Sequence, residues 1–307
     1  MNVIVTGATS FIGAAAVREL LRRGDRVCAV VRPGSKNLAY LETMTPPERR
    51  ENLRIITLDL SEIEQLPLVP GKQPCAWLHA AWDGPGSENR ARRDVQQRNV
   101  ELSLGAVRTA AALGCRRFVF TGSQAEYGVR HGVTAETAAC NPVSEYGRAK
   151  ADFAVRAQEF CRGKNLEYIH TRIFSVYGPG DHPWSLVNSC LHTFRAGEEM
   201  RLSDCRQLWN FLYIDDAARA LVCLLRQGNP GFYNVGSADT RVLRDYVETM
   251  YELCGCRGSF VYGGRGQNTE GASDLAPDIS KICTETEWRP TTTFEEGIYE
   301  TMSGMRL

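Results

Sequence analysis

The chain has no surplus of either charge: 36 Lys and Arg face 36 Asp and Glu across 307 residues. That balance argues against a polybasic surface for nucleic acid or anionic membrane. Long apolar runs are missing too, since none reaches the roughly 18–20 residues needed to span a bilayer. Histidine is scarce at five, and the eleven cysteines are scattered, with Cys254 and Cys256 the one close pair. A zinc site needs a second pair or a Cys/His cluster at ligand spacing, and neither occurs, so no metal and no disulfide are assigned. Cys28, Cys75, Cys115 and Cys223 sit in apolar runs, where cysteine serves as a small core residue. His79 ends a strand, and His131, His182 and His192 fall in expected loops or on helix surface, so each is read as structural. The first apolar strand begins at residue 2, which leaves no place for a signal peptide, and a cytoplasmic chain is expected.

What is present is an alternation of strands and helices. Strands are predicted at residues 2–6, 26–31, 53–58, 75–80, 116–121 and 166–172, with helices between them. The βαβα order implies an α/β fold, a Rossmann-type doubly wound parallel sheet with both faces covered. Residues 33–47, with Pro33, Pro46 and Pro47, and residues 83–89 are expected as loops. After about residue 174 the alternation fails, beginning with the turn-rich Y-G-P-G-D-H-P-W. We therefore expect residues 1–175 to form the cofactor domain, with 208–237 returning to it. Residues 176–207 and 238–307 would make a smaller, mixed α/β substrate lobe.

The first strand runs into a glycine turn, T-G-A-T-S-F-I-G at 6–13, and a helix follows. Gly7 permits the tight turn, and Gly13 lets the helix pack closely on the sheet. Free N–H groups and the positive end of the helix dipole would then face a pyrophosphate. Ser10 stands at the middle position, where glycine is usual, but a serine is small enough for a phosphate to approach. Such a turn can be an ordinary strand-to-helix connection; the second strand that follows favours dinucleotide binding. That second strand ends in Arg32 where an acid would hold the ribose hydroxyls of NAD. Arginine there suits the 2′-phosphate of NADP, with Ser35 and Lys36 beside it, so NADP(H) is favoured and NAD(H) stays possible. An ordinary surface arginine is the plainer alternative.

Further along, Tyr146 and Lys150 stand four apart in Y-G-R-A-K, and Ser123 closes the run R-F-V-F-T-G-S. If residues 144–163 are helical, positions i and i+4 share a face and an ammonium lies beside a phenol. A nearby cation favours the phenolate, so the tyrosine is expected to exchange protons with a sugar or alcohol oxygen. Ser123 would give that oxygen a second hydrogen bond. Y-x-x-x-K also arises by chance as a solvated helix pair. The nucleotide turn upstream is what gives this one weight.

In order, the pieces T-G-A-T-S-F-I-G, Asp59-Leu60, L-H-A-A-W, Asn99-Val100, F-V-F-T-G-S-Q-A-E-Y-G, Tyr146/Lys150, R-I-F-S-V-Y-G-P-G, F-L-Y-I-D-D-A-A-R-A and F-Y-N-V-G-S span nearly the whole chain. The sequence resembles the extended short-chain dehydrogenase/reductases of the NAD(P)-dependent epimerase/dehydratase family, which act on nucleotide sugars. The resemblance implies Ser123, Tyr146 and Lys150 as catalytic residues, Lys150 also binding the nicotinamide ribose. It implies cofactor contacts from Gly7, Thr9, Ser10, Phe11, Ile12, Gly13, Thr121 and Ile173. Asp59 and Leu60 would flank the adenine, Ala80 and Ala81 the diphosphate and ribose, and Asn99 would hold backbone or water near the nicotinamide. Trp82, Gln124, Ser175, Asn188 and Trp209 fall where the family contacts sugar or nucleotide, although either tryptophan could be core packing. Trp209 stands near where relatives place an arginine for the substrate diphosphate. Arg195, Arg201 or Arg206 would then supply that charge, or the diphosphate would bind differently. Asp215 and Asp216 match a turn and are expected to cap a helix rather than do chemistry. A homodimer through the helices around Asn99 and Tyr146 is the family's common arrangement.

Departures from the family narrow the reaction. Sugar 4,6-dehydratases carry Asp-Glu just after the catalytic Ser/Thr, where this chain has Gln124 and Ala125, neither able to exchange protons. Glu126 follows, but an extended segment turns it to the other side. The 3,5-epimerase/reductases that make GDP-fucose use a cysteine at the position of Ala125. Hydride chemistry at a carbinol or ketone remains. It would be either NADPH reduction of a nucleotide-diphospho-4-keto-6-deoxy sugar or C4 epimerisation with tightly held NAD. A non-catalytic NADP-binding sensor is the third possibility, and retention of both Tyr146 and Lys150 counts against it.

Overall fold

A computed structural model describes residues 1–67, 76–84, 87–266 and 273–305. Cys75, which begins an expected strand, and residues 85–86 of an expected loop lie outside the described residues. Seven strands form the main sheet: β1 Asn2–Thr6, β2 Arg26–Val31, β3 Leu53–Thr57, β4 Ala76–His79, β5 Arg117–Ser123, β6 Glu167–Ile173 and β7 Gly231–Val235. Their spatial order is β7-β6-β5-β4-β1-β2-β3, and every pairing is parallel. Near-continuous apolar runs such as Val3–Val5 and Phe118–Phe120 are what a sheet covered on both faces requires. The order reverses between β1 and β4, since the helix after β1 covers one sheet face and the helix after β4 the other, an arrangement that leaves a crevice at the strands' C-terminal edge.

Seven helices of eleven or more residues are described. They are α1 Phe11–Arg22, α2 Arg93–Ala112, α3 Glu145–Cys161, α4 Leu186–Ala196, α5 Ile214–Gln227, α6 Leu243–Leu253 and α7 Phe294–Gly304. The core on one sheet face joins α1 to α5, and the core on the other joins α2 to α3. A third apolar cluster gathers α4, α6 and α7 around Tyr177, Phe211 and Tyr246. Short pairings bind this part together, including Ser175–Tyr177 beside Phe211–Tyr213 and Glu199–Arg201 beside Ser259–Val261. None of the helices among the described residues is long and apolar enough to cross a membrane.

Three expectations need correction. The span 33–47 is not all loop, because Leu38–Met44 is helical and packs Leu41 into the core. Residues 83–89 likewise run into a helical turn, Ser87–Arg90. Asp215 and Asp216 do not cap α5: Tyr213 is the N-cap residue, and both acids lie in the first turn, where the helix dipole favours negative charge. Asp215 pairs with Arg18 and Asp216 with Arg219. The Asp216 carboxylate also accepts from the amides of Thr291 and Thr292 at 3.0 Å each. Asp216 thus ties the C-terminal segment to α5, and Asp215 ties α5 to α1.

Candidate active site

The glycine turn after β1 stands at the crevice. Gly7 has φ +71°, a left-handed conformation that favours glycine. A Cβ there would meet the Ala80–Ala81 peptide at 2.5–2.6 Å, and one on Gly13 would press into the Gly7 carbonyl. Both glycines therefore let α1 begin hard against the end of β4. Ser10 caps that helix, its hydroxyl accepting from Gly13 N at 3.1 Å, and Phe11 and Ile12 open the first turn. Thr9 Oγ1 lies 2.9 Å from Ser35 Oγ, which ties the turn to the segment after β2. A helix N-terminus over a small-residue turn at the sheet's switch point fits the diphosphate of a dinucleotide. At the outer end of β2 the Arg32 side chain is 72% exposed, with Asp83 3.7 Å away. Asp59 caps the turn Leu60–Gln65, accepting from Ser61 N at 2.9 Å and Ser61 Oγ at 2.6 Å, and these bonds hold its carboxyl below the ordinary range.

Across the crevice, β5 ends in Ser123 and the first turn of α3 presents Tyr146. Ser144 caps α3, its hydroxyl accepting from Gly147 N at 3.2 Å, which places Tyr146 and Lys150 on the inward face with Gly147, Ala149, Phe153 and Ala157. Ser123 and Tyr146 are each 9% exposed, and Lys150 only 2%. The ammonium of Lys150 donates to the Thr121 carbonyl at 2.7 Å. It lies 4.0 Å from the centroid of the Trp82 ring, 4.4 Å from that of Phe120 and 5.6 Å from that of Tyr146. Burial lowers the Lys150 pKa to about 7; Glu126 opposes that fall and Arg90 adds to it. The Lys150 side chain thus lies beside the Tyr146 ring, wrapped in aromatic rings and anchored to β5.

Gly147 matters because α3 abuts the turn after Ser123, and a Cβ there would press into the Ala125 carbonyl. Gly147→Ala is expected to push α3 off that turn, costing about 1–3 kcal/mol of packing and more than about tenfold in turnover through misplacement of Tyr146. Thermal melts and initial rates check this, and unchanged turnover would contradict it.

A model of the NAD dependent epimerase/dehydratase family matches residues 3–236. The chain belongs to this family. Its structural neighbours are extended short-chain dehydrogenase/reductases with the same Rossmann-like fold. Among relatives of this chain, UDP-glucuronic acid decarboxylase 1 of Arabidopsis thaliana is 25% identical, over 100% of this chain and 70% of its own. The fold matches a UDP-glucose 4-epimerase of Thermotoga maritima solved with UDP-glucose at TM-score 0.85 and 23% identity, over 99% of this chain and 98% of that one. MoeE5, solved with UDP-glucuronic acid and NAD, matches at TM-score 0.83 and 26% identity with the same coverage.

The remaining candidate residues divide by what their side chains touch. Trp82 lies against Tyr146, ring centroids 6.2 Å apart, and donates to Gln96 at 2.8 Å. Asn99 clamps the Asp83 backbone from both sides, accepting from its N–H at 2.9 Å and donating to its carbonyl at 2.8 Å. Gln124 opens the turn directly after Ser123, and Ile173 lies opposite Ser123 at the end of β6. Thr121 donates to the His79 carbonyl at 3.2 Å. Asn188 donates to the carbonyls of Asp181 and His182, each at 3.0 Å, so its amide braces the loop before α4. Ser175 starts the short strand beside Phe211–Tyr213. Trp209 packs with Tyr127, Phe174 and Leu275, and its buried indole N–H has no partner among the described residues. His79 is structural: its ring nitrogens meet Thr6 Oγ1 at 2.6 Å and Ser103 Oγ at 3.0 Å, and burial followed by Lys150 lowers its pKa to about 3.

Two features were not anticipated. Arg90 lays its guanidinium 4.2 Å from the centroid of the Tyr146 ring. Its only sequence signal is a cation in a loop of Gly, Pro and Asn. Behind Ser123, Glu126 is fully buried against His170 and Arg172. Here a signal existed, because S-Q-A-E at 123–126 has capping-box spacing.

Proposed function

We propose that this protein reduces the C4 ketone of a nucleotide-diphospho-4-keto-6-deoxy sugar with NADP(H). The supporting observation is a nearly buried Ser123–Tyr146 pair backed by a buried lysine, followed by the non-acidic Gln124 and Ala125. Tyr146 would donate the proton to the C4 oxygen, Ser123 would hold that oxygen, and Lys150 would favour the phenolate left behind. A bound nicotinamide cofactor supplies the hydride. The turn Gly7–Gly13 would hold its diphosphate, with Ala80 and Ala81 alongside, and Asp59 and Leu60 would flank the adenine. Residues 1–175 with 208–237 serve as the cofactor domain in this proposal, and 176–207 with 238–307 as the substrate lobe. Trp82, Gln124, Ser175, Asn188 and Trp209 are its candidate substrate contacts. A homodimer through α2 and α3 belongs to the same proposal; Val155, 64% exposed on α3, supports it.

Arg32 supports the choice of NADP(H). Arg32→Ala is expected to raise KM for NADPH about tenfold, or about 1.4 kcal/mol, while KM for NADH changes little. Equal effects on both cofactors would remove the case for a 2′-phosphate contact.

A second reading, C4 epimerisation with retained NAD, is favoured by the likeness to the Thermotoga maritima UDP-glucose 4-epimerase and to NAD-bound MoeE5. The nucleotide that co-purifies separates the two. Stoichiometric, non-dissociating NAD supports the epimerase. Exchangeable NADPH, consumed on a panel of 4-keto nucleotide sugars, supports the reductase.

A further inference from the structure

The chain between β4 and α2 is tied to α2 by the amide side chains of Gln96 and Asn99. Gln96, 1% exposed, accepts from the Trp82 indole N–H at 2.8 Å and donates to the carbonyls of Gly84 at 3.0 Å and Asn89 at 2.9 Å. Arg92 N donates to the same Asn89 carbonyl at 3.1 Å, and Asn99 holds the Asp83 backbone from both sides. Gly84 has φ +65°, and a Cβ on it would collide with Asn89, so glycine lets the chain fold back on itself there. This frame delivers its outer residues to the reacting groups. Trp82 lies over Lys150, ring centroid 4.0 Å from the ammonium, and meets the Tyr146 ring edge-on at 86°. Arg90, directly after the tied Asn89, sets its guanidinium 4.2 Å from the Tyr146 centroid. Guanidinium is flat and delocalised and stacks on an aromatic face, where the ring quadrupole attracts it. A phenolate spreads its negative charge into the ring, so the same contact strengthens when the phenol loses its proton.

We propose that Arg90 is a positioning residue for Tyr146, held on the ring by Gln96 through Asn89, and that it both fixes the phenol and favours its phenolate. The role deepens the ketoreductase reading and rests on it for its catalytic meaning. Other charged or titratable groups around this place are accounted for. Lys150, on the same helix, stands 5.6 Å from the Tyr146 centroid. Glu145 is paired with Arg148 at 2.6 Å. On the turn that α3 abuts, Glu126 is paired with His170 and Arg172, and on β4 His79 is bound between Thr6 and Ser103. From α2 the segment meets Gln96 and Asn99, both neutral. Arg90 is thus the cation that this segment brings to the face of the ring.

The test titrates Tyr146 in the full chain carrying 13Cζ-labelled tyrosine, with Tyr146→Phe assigning its signal. Arg90→Met keeps an unbranched stem and removes the charge, and the Tyr146 midpoint is expected to rise by about one pH unit. Arg90→Gln, a second neutral variant, should give the same rise. Arg90→Lys restores a cation without the flat stacking surface and should bring the midpoint back close to wild type. On the 4-keto nucleotide sugar, Arg90→Met is expected to lower kcat about tenfold with KM unchanged, and Arg90→Lys to recover most of it. The alkaline limb of kcat/KM, which marks loss of the phenol proton, should move up with the midpoint. An unmoved midpoint in both neutral variants overturns the proposal. So does a rise in KM with kcat unchanged, the mark of a substrate contact. Because the titration needs no substrate, failure of the assigned reaction would leave this outcome readable.

Discussion

Tyr146→Phe is expected to lower turnover of a 4-keto nucleotide sugar by about 10²–10⁴-fold, the share a positioned general acid supplies. The substitution isolates the hydroxyl. Tyr146 is 9% exposed, with Arg90 over its ring at 4.2 Å and Trp82 against it at 6.2 Å, and a phenylalanine ring keeps both contacts. Cofactor titration should therefore give wild-type affinity while NADPH consumption collapses. Ser123→Ala is expected to lose less, and the double variant should fall short of the product of the single losses, because both hydroxyls act on one oxygen. Ser123 Oγ also caps Ala125 N at 3.2 Å, so its removal loosens the turn as well as the site. Turnover of the phenylalanine variant within about tenfold of wild type would remove Tyr146 from the mechanism.

How far the sequence disclosed this site depends on distance along the chain. The strand runs were legible because each is a short apolar segment closed by a turn; β1 and β2 occur at the expected residues, and β5 runs on to include Ser123. β7 was harder to see as a strand. Its Asn234 is buried, and the run is stable there only because Tyr127, Thr134, Glu136 and Asp278 satisfy that residue's side chain and backbone N–H. Tyr146 and Lys150 were legible because helical periodicity alone puts them on one face. The Glu126–His170–Arg172 cluster was not, although its capping box was. Alternation on an extended segment was expected to turn Glu126 away from the crevice; residues 124–126 form a helical turn instead, and its capping box buries Glu126 against His170 and Arg172. What local pattern cannot supply is the parallel register that sets Gly122 opposite Arg172 and Ser123 opposite Ile173, 50 positions away. Arg90 reaches Tyr146 across a similar gap. Asp215 and Asp216 show the converse, since the motif located them and tertiary contacts with Arg18 and residues 291–292, beside the local pair with Arg219, decided their work.

The second large effect is on stability. Lys150 is fully enclosed, and its pKa falls from 10.5 to about 7 because burial disfavours the ammonium, with Glu126 opposing and Arg90 reinforcing. An unfolded lysine titrates near 10.4. Between those two values the unfolded chain binds the extra proton, so folding stability rises with pH through that window. Above about pH 10.4 both states are neutral and no penalty remains; below about pH 7 both are charged and the penalty is complete. Lys150→Met removes the titration and keeps an unbranched apolar chain against Trp82 and Phe120. It also loses the bond to the Thr121 carbonyl, at a cost of about 1 kcal/mol. The variant is therefore expected to be more stable than wild type by about 2–4 kcal/mol near neutral pH, with the advantage vanishing as pH approaches 10. Denaturant melts at several pH values measure this. Turnover should move the opposite way, down by about 10² or more, since in the proposed reaction the ammonium favours the phenolate of Tyr146. A variant less stable than wild type at neutral pH would show that the aromatic cage and Glu126 together favour the buried charge. Gain of stability with loss of turnover would identify Lys150 as a charge kept at the expense of the fold.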